Sequence, residues 1–150
     1  MKKTLALLLL VTAVASPVRA QKAGDIGVGV ILGSPTGGAA KLWLSDHQAL
    51  SAGIGFSSSL AVYGDYLWHS WSVLPQPSEG RLPVYLGLGG QIRTLSPDEF
   101  GVRGVLGLAY WLPRNPVELF VEFVPVVRVA PWASVGLGGG IGLRYYFIKS

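Results

Sequence analysis

The side chains that stand out for chemistry in this 150-residue chain are Lys41, Asp65, His69, Arg93, Arg103, Glu118, Glu122, Arg128 and Arg144. His69-Ser70 together with Glu118 or Glu122 invites a Ser-His-acid hydrolase reading. Neighbouring residues on a strand point to opposite faces, however, so His69 and Ser70 cannot readily hydrogen-bond. The only other histidine, His47, lies beside Asp46. Two histidines without useful spacing do not make a metal site. Cysteine is absent, which removes thiolate metal sites and disulfides. The glycine runs match neither phosphate-loop pattern in register, and they fall within strands. No catalytic residue, metal or cofactor is expected.

What positions these charges is an alternation. In 133–147 (ASVGLGGGIGLRYYF), Ala133, Val135, Leu137, Ile141, Leu143, Tyr145 and Phe147 share one face. The other face is mostly glycine, with Arg144 near its end. A period of two is a β-strand. A soluble barrel turns its large apolar residues inward, whereas a membrane barrel turns them out to lipid. Here the small and charged residues form the complementary face, which is the membrane arrangement.

The pattern recurs. Eight strands are expected, near 25–32, 38–44, 49–57, 60–70, 82–95, 101–112, 117–129 and 133–147. Gly/Pro/Ser/Asp-rich turns separate them. A membrane strand needs about 9–11 residues, and single-chain bacterial barrels have even strand numbers. The expected class is all-β, an eight-stranded antiparallel up-and-down transmembrane barrel. Such an interior is only just wide enough for side chains to fill. Inward glycines such as Gly53, Gly87 and Gly107 leave room there for the long charged and aromatic residues. A last hairpin centred on Pro131 places Glu118 opposite Arg144, a pairing that would neutralise buried charge. Arg93, Arg103 and Arg128 are expected to gather towards the outer mouth, as an anion site or a weakly anion-selective constriction. With both termini in the periplasm, Trp68, Tyr110, Tyr145 and Phe147 fall at the periplasmic rim as an aromatic girdle.

Residues 1–20 read as a signal peptide. Lys2 and Lys3 precede an apolar run over 5–15, and Val18-Arg19-Ala20 offers cleavage after Ala20. Residues 21–150 are then one barrel domain. The chain carries 12 basic and 8 acidic residues. Removing Lys2, Lys3 and Arg19 leaves nine basic against eight acidic, a net charge of +1. That is poor ground for nucleic-acid binding, which needs a clustered basic face. No later apolar run reaches the roughly 20 residues of a membrane helix.

The segments GVGVILGSPTG (27–37), LWLSDHQAL (42–50), DYLWHSW (65–71), LPVYLGLGGQIR (82–93) and GLGGGIGLRYYF (136–147) resemble small bacterial outer-membrane barrels with an OmpA-type or OmpX-type eight-stranded domain. The resemblance covers nearly all of the mature chain. It implies location in the cell outer membrane, with outer-membrane lipid as partner and Sec export and barrel-assembly machinery during biogenesis. The barrel-assembly machinery usually reads a terminal aromatic; here Phe147 is followed by Ile148-Lys149-Ser150. The longest link, 71–81, falls on the periplasmic side, so the outer loops are short. The leading functional reading is a structural or interaction barrel with a side-chain-plugged lumen. The alternatives are a narrow ion or small-solute channel, a soluble periplasmic ligand-carrying barrel, and a lipid-modifying outer-membrane enzyme such as a lipid A deacylase. The soluble carrier requires Val135, Leu137, Ile141 and Leu143 to face a cavity.

Overall fold

The computed structural model describes residues 22–56, 58–95 and 98–147. The segment read as a signal peptide, with its expected cleavage after Ala20, lies outside them, as do Ile148-Lys149-Ser150. Eight strands run β1 (Ile26–Ser34), β2 (Thr36–Trp43), β3 (Gln48–Phe56), β4 (Leu60–Ser70), β5 (Val84–Arg93), β6 (Glu99–Trp111), β7 (Val117–Ala130) and β8 (Ser134–Phe147). Each pairs antiparallel with the next, and β1 pairs with β8, closing the barrel. The strand boundaries differ from the sequence expectation by one or two residues at most ends. One shift matters: Glu99, read as a turn residue, begins β6.

Burial alternates along every strand. Val135 and Leu137 are 73% and 69% exposed, whereas Lys41 and Arg144 on inward positions are each 1% exposed. Ile141 and Leu143 are also exposed. The apolar face of β8 is therefore the outside of the barrel and not the wall of a cavity, which corrects the soluble-carrier expectation. Register follows from this inversion, because a slip of one residue would expose the charges and bury the aliphatic set.

Inward glycines have a specific partner. Tyr85 stands directly opposite Gly107, Tyr63 opposite Gly53, Tyr146 opposite Gly27 and Phe120 opposite Gly142. In each case a Cβ on the glycine would overlap the ring. The aromatic side chain lies flat over the bare backbone of the neighbouring strand, the same device by which aromatics cover strand glycines in built sheets. Gly89 serves an ion pair in the same way. It sits in register between Asp65 on β4 and Arg103 on β6, and a Cβ there would overlap the Asp65 carboxylate.

The two ends differ. The end carrying Ile26 and Phe147 (the terminal end) holds the long link between β4 and β5. In that link the Gln76 side chain bonds both the amide and the carbonyl of Leu82, each at 2.9 Å. The far end carries the short connections after β1, β3, β5 and β7.

Candidate functional site

The barrel interior gathers the charges into separate groups. In the terminal half, Lys41 on β2, His69 on β4, Glu118 and Glu122 on β7 and Arg144 on β8 form one network. Glu118 and Arg144 are cross-strand partners, and Arg144 Nη1 donates to Glu118 Oε1 at 2.6 Å. Lys41 Nζ reaches across the lumen to Glu118 Oε2 at 3.1 Å. Tyr146 Oη donates to Glu118 Oε1 at 3.2 Å. Arg144 Nη2 lies 3.6 Å from Glu122 Oε1, which also accepts from Tyr85 Oη at 2.7 Å. Two cations thus face two carboxylates, and each carboxylate has a phenol donor as well. Removing ions from water costs several kcal/mol each unless partners and hydrogen bonds offset it. This network supplies both.

Lys41 Nζ is also 2.7 Å from His69 Nε2. An ammonium only donates, so Nε2 accepts and the ring proton sits on Nδ1. The cation lies 4.7 Å from the Trp43 ring and 4.8 Å from the Tyr85 ring, while Arg144 stacks 3.7 Å over Phe120. Ser70 takes no part. It is on the opposite face of β4, with its hydroxyl 3.5 Å from that of Ser72. No hydrolase triad forms around His69. Among the described residues, no three His, Cys, Asp or Glu side chains converge as a metal site would require.

The second group corrects the sequence reading. Arg103 does not join Arg93 and Arg128 at the far mouth. It is 2% exposed, with Nε donating to Asp65 Oδ1 at 3.1 Å across Gly89. Its guanidinium lies 3.9 Å over the Tyr63 ring, and Nη1 reaches Gln91 Oε1 at 3.4 Å. Asp65 was a plausible partner by sign alone. That the two meet over a glycine on the strand between them is a property of register.

Arg93 and Arg128 do lie at the far end. Arg93 donates to Ser59 Oγ at 3.2 Å and Ser58 Oγ at 3.1 Å. Arg128 pairs with Glu99 at 3.1 Å and donates to Ser134 Oγ at 3.2 Å. Both arginines line one cavity of about 30 Å³. Glu99 was missed because Ser96-Pro97-Asp98-Glu99 reads as a turn.

At the terminal end, rings lie across the lumen. Trp43 contacts Trp71 and Trp111, each with centroids 6.2 Å away, and Trp111 contacts Tyr146 at 4.5 Å. Trp71 comes from the long link, held by its indole N–H on the Asp46 carbonyl at 2.8 Å and by Arg81, 3.9 Å over its ring. Outside, Trp68, Tyr110, Tyr145 and Phe147 all lie toward this end. Tyr66 packs on Trp68 and Tyr145 on Phe147, while Tyr110 Oη donates to the Glu79 carbonyl at 3.3 Å. A second aromatic set, Phe56, Phe100 and Trp132, is exposed at the far end. Its signal, aromatics next to the far-end turns, was present in the sequence.

No protein-family model matches this chain, and no curated protein sequence matches it. The crystal structure of the N-terminal β-barrel domain of Pseudomonas aeruginosa OprF is similar, with a TM-score of 0.59 and 18% identity. The match covers 85% of this chain and 100% of that one. At that identity the likeness is one of fold. The chain thus shares the eight-stranded barrel fold of the OprF domain, the OmpA-type architecture that its strands resemble.

Proposed function

We propose that the chain is an integral outer-membrane β-barrel, stoppered by its own side chains, with a structural or interaction role. One observation carries this reading: the polarity of the wall is inverted. Exposed aliphatic side chains lie on the outside of every strand but β2, where the outward Ala40 and Leu42 are half-buried, and the buried interior holds Lys41, Asp65, Arg103, Glu118, Glu122 and Arg144. Water would not tolerate such a continuous apolar exterior on a monomer, whereas lipid requires it. The two aromatic sets flank the aliphatic belt, where interfacial girdles belong. Outer-membrane lipid is then the principal partner, and the route is Sec export followed by insertion by the barrel-assembly machinery. The short far-end connections do not support a receptor or adhesin with long exposed loops.

A heat-shift gel on the outer-membrane fraction tests location. A folded barrel resists SDS until boiled, so two mobilities in that fraction support the reading. Soluble periplasmic protein with no shift overturns it. Planar-bilayer recording tests the stopper. The expected result is no steady conductance. Steady openings abolished by charge reversal at Arg93 or Arg128 replace the stoppered barrel with a narrow channel.

A further inference from the structure

We propose that Trp71 is a movable lid over the terminal mouth of the lumen, opening and closing while the barrel stays folded. The inference rests on the reading of a stoppered interior and names the part of the stopper that moves. Among the described residues, every buried member of the interior apolar cluster lies on a strand. Trp71 is packed against that cluster, only partly buried, and lies on the link between β4 and β5. Its position is therefore set by side-chain contacts and not by the strand ladder.

Those contacts are ones that water can replace. The ring stacks with Trp43 at 6.2 Å and with His69 at 6.4 Å between centroids. Arg81 lies 3.9 Å over it, an exposed cation–π contact of the weaker kind. The indole N–H donates to the carbonyl of the exposed Asp46.

The chain on either side is fixed. Ser70 ends β4 in register with Val84. Leu74 lines a crevice on the outer wall with Val84 and Leu108. Further along, Arg81 and Trp111 exchange backbone hydrogen bonds of 3.1 and 2.8 Å. Between Ser70 and Leu74 stand Trp71, Ser72 and Val73, and the last two are exposed. A short stretch with few buried contacts belongs to the low-stability end of a fold, where lids are found. Behind the ring are His69 and, 2.7 Å from it, Lys41. Outward movement of Trp71 admits water to that pair and leaves the Glu118–Arg144 pair in place. An apolar constriction excludes water from a narrow lumen, so the closed lid adds a second seal to the charge network.

The test uses the mature barrel refolded in detergent, with the heat shift confirming the fold of every variant. The chain has no cysteine, so Ala49→Cys supplies a single thiol. Ala49 is buried, in register with Trp43. Its alkylation by iodoacetamide is timed by mass spectrometry, and Ser78→Cys, on the exposed part of the link, sets the rate of an open thiol. The expected rate for Ala49→Cys is about 100-fold or more below that reference and insensitive to low urea, as local opening is. Adding Trp71→Ala should accelerate it about tenfold or more, while Trp71→Phe keeps a ring in place and should stay within about threefold. If Trp71→Ala loses the heat shift, Arg81→Ala takes its place, with acceleration of about threefold expected. No acceleration in the folded lid variant overturns the proposal. So does labelling of Ala49→Cys that rises with urea as steeply as global unfolding. Planar-bilayer recording of Trp71→Ala keeps the two readings apart. Faster labelling with steady current supports the lid while the stoppered lumen falls; silence without faster labelling overturns the lid while the stopper stands.

Discussion

Gly107→Ala is expected to destabilise the barrel far more than a methyl group suggests. The new Cβ would overlap the Tyr85 ring, which lies across Gly107 from the neighbouring strand. Tyr85 is 1% exposed, and its hydroxyl bonds Glu122 at 2.7 Å, so the ring cannot move aside without losing that bond. Overpacking costs about 1–3 kcal/mol. Loss of a buried hydrogen bond to a charged group costs about 1.5–3 kcal/mol. Against these, replacing glycine within a strand recovers about 0.5–1 kcal/mol. The net expectation is a loss of about 2–5 kcal/mol. Gly90→Ala is the matched control. Gly90 faces outward, and its Cβ would meet nothing closer than the Gly101 carbonyl at 3.7 Å. That variant should be neutral, or more stable by about 0.5–1 kcal/mol. Urea unfolding of the two refolded variants, followed by the heat-shifted gel band, measures both. In a third variant, Gly107→Ala with Tyr85→Ala, the clash term should vanish and the two losses should fail to add. Equal stabilities for Gly107→Ala and Gly90→Ala would refute the ring-over-glycine account.

Other outcomes follow from the same wall. Leu106→Arg places a charge on the outer belt in the middle of β6 and should cost about 2–4 kcal/mol in lipid; unfolding in phospholipid vesicles measures it, and a change below about 0.5 kcal/mol would mean that this face does not meet lipid. Asp65→Asn leaves Arg103 buried without its carboxylate and should cost about 3 kcal/mol or more, read from the shift in urea midpoint. Arg81→Ala removes the cation stacked on Trp71 at 3.9 Å and should cost only about 0.5–1 kcal/mol, while changing Trp71 fluorescence; a large stability loss would mean the link carries more of the fold than its contacts indicate.

Much of this architecture is legible in the alternation. The inward positions of Lys41, Asp65, His69, Glu118, Glu122 and Arg144 follow from a period of two, and the Glu118–Arg144 pairing follows from the hairpin centre. What is not legible is any contact that skips a strand or crosses the lumen. Asp65 meets Arg103 over Gly89, and Lys41 on β2 meets Glu118 on β7. Both depend on the stagger of a closed barrel, which no local window contains. For the same reason Arg103 was grouped with Arg93 and Arg128 on sign and approximate height. The ring-over-glycine pairs are intermediate. Glycine and aromatic residues are visible in each strand, but only register shows that they stand opposite one another.

The terminal-half charges behave as one network and not as two salt bridges, and a charge swap separates these descriptions. Glu118→Arg combined with Arg144→Glu restores an opposite pair at the same register position. If the pair acted alone, the double variant would recover most of the loss seen in Glu118→Arg. The surroundings say otherwise. Lys41 Nζ, 3.1 Å from the present Glu118 carboxylate, would then face a guanidinium. A carboxylate at position 144 would meet Glu122, which now lies 3.6 Å from Arg144 Nη2. Like charges at such separations repel by several kcal/mol at the effective dielectric of a protein, about 4 kcal/mol at 4 Å. The swap should therefore remain destabilised by about 3–5 kcal/mol. Adding Lys41→Glu and Glu122→Lys, which inverts all four charges, should recover part of it. Full rescue by the two-residue swap would show that Lys41 and Glu122 are bystanders, and the interior would then be held by local pairs alone.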